Sequence, residues 1–365
     1  MKMKIAILTR TSATNFGTVL QAYALQRYVR EQGFYVKTVD DVLPRRVYNK
    51  TVKHKWSIKG YLANIVDRWK SRNLYKRAIK LDKVSRKFKK KYISYFYPKS
   101  LKDINEEFDM VIAGSDQIWA YSAEPKLFSY FLLESIKPDK KKVSYAVSMG
   151  ESEYPIQYKD KVINLLEQFD YLSVREKGSQ EIIAKYTNKS IDIVCDPVLL
   201  MDNTDWKQLA GKRKIKKKYI FCYFLGNQDW YWEKLEEYSR KNDSEIYVYQ
   251  KEETEHSYHS IHICSPNDFL NYIEFAEFVF TDSFHGLCFS LLFKKQFYVL
   301  QRFLNDGNNI QNNRLVNLLG LIELKDKFLS QESLLNDQIV DYEVVDKKLN
   351  VFKEVSKEYL KKVLK

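Results

Sequence analysis

The 365-residue sequence has no uninterrupted apolar run approaching the ~20 residues that a membrane-spanning helix requires. Its opening, MKMKIAILTRTSATNFG, is apolar only from Ile5 to Leu8, too short for a signal-peptide core of roughly 7–15 residues, and reads as a first buried strand. Cysteine is scarce. Cys195, Cys222, Cys264 and Cys288 are scattered, each in or beside an apolar stretch, which disfavours a disulfide framework and predicts buried free thiols in a reducing cytoplasm. The first strand is not followed by a GxGxxG fingerprint; its NFG is a poor basis for dinucleotide binding. Histidine is also rare. The segment HSYHSIH holds His256, His259 and His262, but SIHIC looks extended, which would split the imidazoles between two faces. No Cys/Asp cluster of metal-ligand spacing accompanies them, so no metal or redox cofactor is expected.

What remains is a globular composition, 45% hydrophobic and 30% charged, long enough for two cores. The net charge of +14 is unevenly placed: residues 45–99 carry 19 lysines and arginines against two acids, Asp67 and Asp82, leaving the rest slightly acidic. Trp56, Tyr61, Trp69, Tyr75 and Phe88 are interleaved with these cations. The stretch reads as a basic helical insertion in the first domain. It suits either a solvated face or contact with anionic lipid; no nucleic-acid-binding motif accompanies it.

Around the insertion, strand and helix patterns alternate. KIAIL, FYVKTV, FDMVIAG, KVSYAVS, YLSVRE and IDIVC read as strands of a first half. YIFCYF, EIYVY, EFVFT and QFYVL read as strands of a second, after the lysine-rich KRKIKKK. Gly33 sits where a helix-ending glycine belongs, after the stripe Val19, Ala22, Leu25 and Val29. The expected architecture is α/β, with two Rossmann-like domains facing a cleft. Residues 1–205 form the N-terminal domain, 206–340 the C-terminal domain and 341–365 a terminal amphipathic helix.

In parallel sheets, ligands gather beyond the carboxyl ends of strands. The polar residues there are Asn15 and Gly17 after the first strand, Ser115 and Asp116 within GSDQIW, Arg175 after YLSV, and Asp282, Ser283 and His285 within TDSFHG. Asp282 or Ser283 can cap the next helix, whose start favours an anion and places His285 for proton transfer. For a lone histidine, simple packing would be the better reading; strand end, cap, histidine and glycine together favour function. Arg175 is equally suited to a surface ion pair and to a bidentate anion clamp. Asp116 suits a turn or a cap as well as a reactive carboxylate.

The segments NFGTVLQAYALQRYVREQGFYVKTVD, FDMVIAGSDQIW, KKVSYAVSMG, FDYLSVREKGSQEII, VCDPVLL, FVFTDSFHGLCFSLLF and NNRLVNLLGL, in this order, resemble the polysaccharide pyruvyl transferase family. The resemblance implies a two-domain fold like that of GT-B glycosyltransferases. It implies phosphoenolpyruvate as donor and a sugar hydroxyl pair, for example on a lipid-linked oligosaccharide, as acceptor, and a cytoplasmic protein working at the inner membrane face. His285 matches the family's active-site histidine, Arg175 its arginine after the LSV strand, and Arg314 lies in its late arginine segment. Many relatives carry an arginine just before the histidine, where this chain has Phe284. Anion binding would then fall to Arg175, Arg314, Arg302 and the helix start, with His285 as acid/base and Asp116 orienting or deprotonating the acceptor. Two rival readings are a sugar-nucleotide glycosyltransferase on the same architecture and a basic scaffold that binds membranes or polyanions through residues 45–99.

Overall fold

The computed structural model describes residues 2–11, 15–40, 77, 79–121, 125, 127–150, 153–250, 258–303, 312–336 and 338–365. Trp56, Tyr61, Trp69, Tyr75 and His256 lie outside these residues.

The first half is a seven-stranded sheet of β1 (Lys4–Leu8), β2 (Tyr35–Val39), β3 (Tyr95–Phe96), β4 (Met110–Asp116), β5 (Lys141–Val147), β6 (Leu172–Val174) and β7 (Ile191–Ile193). Its order is β3-β2-β1-β4-β5-β6-β7, and neighbouring strands are parallel. The second half has six strands: β8 (Tyr219–Phe224), β9 (Glu245–Gln250), β10 (His259–Ser260), β11 (Phe278–Thr281), β12 (Gln296–Leu300) and β13 (Phe328–Leu329). These are ordered β10-β9-β8-β11-β12-β13, again parallel. This is the expected pair of Rossmann-like domains. The near-continuous apolar runs KIAIL and YIFCYF are explained by it: β1 and β8 are central strands covered on both faces, so alternation is absent and almost every residue is buried.

In each half the strand order reverses at one point, between β1 and β4 in the first sheet and between β8 and β11 in the second. Loops leaving adjacent strands there turn to opposite faces and open a crevice. The two crevices face each other. Phe16, at the start of the helix Phe16–Glu31, crosses the cleft and packs its ring at 5.0 Å from Tyr249 and 5.5 Å from Phe269. Gly33 ends that helix as expected, with φ +90° and its N–H donated to the Arg30 carbonyl at 2.9 Å.

The 205/206 division falls inside the helix Asn203–Ala210. Its Trp206 packs against Tyr23 of the first half at 5.9 Å and Phe289 of the second at 5.0 Å, which makes it shared structure rather than a linker. The terminal helix, Tyr342–Val363, is also shared. Tyr342 Oη donates to the Ser290 carbonyl at 3.2 Å in the second half. Further along, Ser356 Oγ accepts the Cys195 N–H at 2.8 Å and Tyr359 Oη donates to the Ser144 carbonyl at 2.8 Å in the first. The helix thus braces both halves.

The basic segment is not helical to its end. Residues 95–96 form the edge strand β3, paired with Thr38 and Val39. Residues 79–92 are helical and bury Leu81, Ser85 and Phe88, with Phe88 at 6.0 Å from the Tyr23 ring. Lys83, Arg86, Lys87, Lys90 and Lys91 are exposed on the other side, whereas Lys89 Nζ donates to the Thr11 carbonyl at 3.0 Å. All four cysteines are buried and unpaired, as expected.

Candidate active site

The loops after β1, β4, β6, β7, β8 and β11 meet at the facing crevices. The polar contacts centre on Asp196, just beyond β7. Its Oδ2 accepts from Arg175 Nη1 at 2.7 Å and from Ser115 Oγ at 3.4 Å, and lies 3.5 Å from His285 Nε2. Its Oδ1 accepts the Val198 N–H at 3.1 Å. Burial by itself would raise this carboxyl's pKa, but the nearby His285 and Arg175 outweigh it and hold the group well below the usual carboxylate range.

His285 follows Ser283, whose Oγ accepts the Gly286 N–H at 3.4 Å and caps the helix Phe284–Leu292. Of the two capping candidates, Ser283 is the one used. The imidazole enters the cleft between the halves and lies against Gly17, in the first turn of the helix Phe16–Glu31. A Cβ on Gly17 would stand 2.1 Å from His285 Nδ1, so only glycine leaves room for the ring. Asn15 caps this helix, accepting the Gly17 N–H at 3.1 Å. Two helix starts, with their exposed N–H groups and partial positive charge, therefore abut the same space.

That space is a cavity of about 210 Å³ lined by Arg10, Asn15, Thr18, Asp116, Gln117, Leu225, Ser283, Phe284, His285, Arg302 and Arg314. Three arginines and a histidine face one acid. Asp116 Oδ2 accepts from Thr18 Oγ1 at 3.0 Å. Burial pushes its pKa up, but Arg175, His285 and Arg10 prevail and keep it lowered, so it is ionised at neutral pH. Arg314 makes no ion pair among the described residues, and its Nε is buried without a hydrogen-bond partner. Burial and the like charges of Arg175 and Arg302 bring its pKa down to about 10. An arginine so placed adds uncompensated positive charge to the cavity wall.

Arg175 is placed differently from the expected clamp. Its side chain is 2% exposed and its guanidinium is engaged by Asp196, by Glu176 at 3.4 Å and by Asp116 at 3.9 Å. It also stacks on the Phe284 ring at 4.3 Å. Its charge is already balanced inside the protein, and it lines a second, more apolar cavity of about 250 Å³ with Phe284, Asp196, Arg314, Leu318, Leu321 and Phe352. Arg175 and His285 thus converge on one carboxylate oxygen, from opposite halves, rather than on one void. The Phe284 ring lies against both, 4.3 Å from the Arg175 guanidinium and 5.5 Å from the imidazole.

Asp282 and Ser115 also lie behind the cavity. Asp282 is fully buried; it accepts the Leu225 and Gly226 N–H groups at 2.8 and 2.7 Å and pairs with Arg302 Nε at 3.3 Å. It clasps the β8 and β11 loops and holds Arg302, and its oxygens are taken up by these partners. Desolvation raises its pKa despite these partners. Ser115 Oγ donates to the Ala146 carbonyl at 2.9 Å. Asp196, Arg10, Thr18 and Gln117 were not anticipated from the sequence. Asp196 and Arg10 satisfy the same rule that singled out the others, a polar residue just after a strand. In VCDPVLL, however, the aspartate before proline reads as a turn residue.

The fold and the site define a two-lobed α/β protein that closes a small, basic, histidine-bearing cavity between its halves. Residues 15–302 match the polysaccharide pyruvyl transferase family, and the chain belongs to it. No curated protein matches the chain significantly in sequence. Among solved structures it is similar to the UDP-GlcNAc 2-epimerase from Methanocaldococcus jannaschii, at 11% identity over 97% of this chain and 93% of that one, with a TM-score of 0.46. It is also similar to an α-glucosyltransferase in complex with UDP, at 9% identity over 100% of both chains, with a TM-score of 0.48. A UDP-GlcNAc 2-epimerase from Neisseria meningitidis bound to UDP-GlcNAc gives 10% identity over 98% of this chain and 100% of that one, with a TM-score of 0.43. Among the described residues no helix is long and apolar enough to cross a membrane.

Proposed function

We propose that the protein transfers the enolpyruvyl group of phosphoenolpyruvate to a hydroxyl pair on a sugar of a cell-surface polysaccharide precursor, leaving a cyclic pyruvate ketal. The observation that carries this reading is the placement of Arg302, Arg314 and His285 around one small cavity. Its volume of about 210 Å³ is below the roughly 300–1,000 Å³ usual for drug-sized ligands and suits a small polyanion better than a sugar nucleotide.

In this scheme Arg314 and Arg302, with the two helix starts, hold the phosphate and carboxylate. His285, as imidazolium, gives its proton to the methylene carbon, and the C=C electron pair forms the new C–H bond. The electrophilic C2 takes the first sugar hydroxyl, whose proton returns to the imidazole. The C–O bond to phosphate then breaks, and the second hydroxyl closes the ketal, its proton leaving with phosphate. Asp116, ionised and with a lowered pKa, is a poor proton acceptor, so its role is to orient the acceptor hydroxyl. No metal or redox cofactor enters the scheme.

The exposed lysines and arginine of residues 79–92 supply the contact with anionic headgroups that would hold the protein near a lipid-linked acceptor. Each cation near such a surface contributes about 1 kcal/mol before screening.

The test is mass spectrometry of a lipid-linked oligosaccharide incubated with protein and phosphoenolpyruvate, with phosphate release followed in parallel. A pyruvylated product supports the reading. Thermal stabilisation by a nucleotide sugar and not by phosphoenolpyruvate would favour a glycosyltransferase instead.

A further inference from the structure

We propose that Asp196 is a positioning residue that holds His285 with Nε2 turned to the carboxylate and Nδ1 turned to the cleft, making Nδ1 the nitrogen that exchanges the proton. The proposal rests on the reading of His285 as the proton-transfer group.

The geometry argues it from both ends of the imidazole. Among the described residues the buried His285 Nε2 has no other partner than the carboxylate oxygen Asp196 Oδ2, which faces it at 3.5 Å. A carboxylate oxygen only accepts, so the proton of the neutral ring belongs on Nε2 and the lone pair on Nδ1. The carboxylate cannot turn to suit another tautomer. Its Oδ2 is held by Arg175 and Ser115 and its Oδ1 by the Val198 N–H, with 1% of the residue exposed. At the other end, Nδ1 lies over the bare Cα of Gly17. The Phe284 ring meets the imidazole edge-on at 5.5 Å and limits its rotation. A buried nitrogen aimed at a fixed carboxylate has no path to substrate; Nδ1 is the one left. During the proposed reaction Nε2 keeps its proton throughout, while Nδ1 gives one to the methylene carbon and takes one from the sugar hydroxyl.

The test combines a spectroscopic and a kinetic readout. In wild-type protein labelled with ¹⁵N-histidine, with His285→Gln used to assign the resonance, the neutral His285 ring should show a protonated Nε2 and an unprotonated Nδ1. The reverse pattern overturns the proposal, and this readout needs no Asp196 variant to fold. In Asp196→Asn the tautomer preference should be lost. Its kcat should fall on the order of 10²-fold or more, while KM for phosphoenolpyruvate stays within about threefold, because Asp196 does not line the cavity assigned to the donor. An Asp196→Asn protein that keeps both the tautomer and kcat also overturns it. Retained activity in His285→Gln would instead sink the underlying reading of the site, a distinguishable failure.

Discussion

The first-turn glycine of one half and the histidine of the other fit face to face: a methyl group on Gly17 would stand 2.1 Å from His285 Nδ1. Within a helix, alanine normally gains about 1 kcal/mol over glycine, so any harm from Gly17→Ala comes from this contact. The expected result is loss of activity on the order of 10²-fold, the usual effect of a displaced catalytic group. Enzyme assay and thermal denaturation of the same variant check it. Full activity in Gly17→Ala would mean that the imidazole does not work from this position.

Arg314 and Arg175 should respond oppositely to removal. The lowered pKa of Arg314, about 10, means that its charged form costs folding energy at neutral pH, a cost relieved only as pH rises through that value. Arg314→Gln should therefore keep or raise the melting temperature while raising KM for phosphoenolpyruvate about tenfold or more, the worth of a charged hydrogen bond. A lowered melting temperature with unchanged KM would show that Arg314 is structural.

Arg175 is the opposite case. Arg175→Ala leaves Asp196 and Glu176 buried without their cation, and should cost about 3–5 kcal/mol of stability. Urea denaturation measures it. A loss below about 1 kcal/mol would show that the guanidinium is not the keystone its contacts suggest.

Acid should undo this network. Asp116 and Asp196 both have lowered pKa values in the folded protein. Their contribution is present above the unfolded value of about 3.9 and is lost as pH falls through the folded values. Asp282, with a raised pKa, acts in the opposite sense. The expected melting temperature drops below about pH 4, and the drop between pH 7 and pH 3 is smaller in Asp196→Asn than in wild type. Equal drops in the two proteins would contradict the assignment.

The basic face has its own test. Reversing Lys83, Lys87, Lys90 and Lys91 to glutamate should reduce co-sedimentation with anionic vesicles at low salt and leave activity on a soluble acceptor intact. Lys89 is left alone because it bonds the Thr11 carbonyl. Wild-type protein that ignores anionic vesicles even at low salt would reduce this face to solvated surface.

Much of the molecule is legible in local pattern. KIAIL, YIFCYF, EIYVY and QFYVL are strands as read, Gly33 ends its helix, and TDSFHG is a strand end followed by a capped helix. Such features depend on neighbours a few residues away, where backbone geometry and apolar period act directly. The rule of polar residues after parallel strands reached His285 and Asp116 for the same reason.

Which of those residues meet was decided by the sheets. Strand order sets Asp196 between Arg175 and His285, and the closing of one half on the other sets Gly17 beneath the imidazole. Arg175 reads equally as an ion pair and as an anion clamp in sequence, because an arginine after a strand carries a free charge until its partners are known. Folding gave that charge to Asp196, Glu176 and Asp116 and left Arg314 without an ion pair among the described residues. Local sequence determined where the reactive groups begin; burial and the pairing of distant charges, properties only of the folded chain, determined which remain available for a ligand.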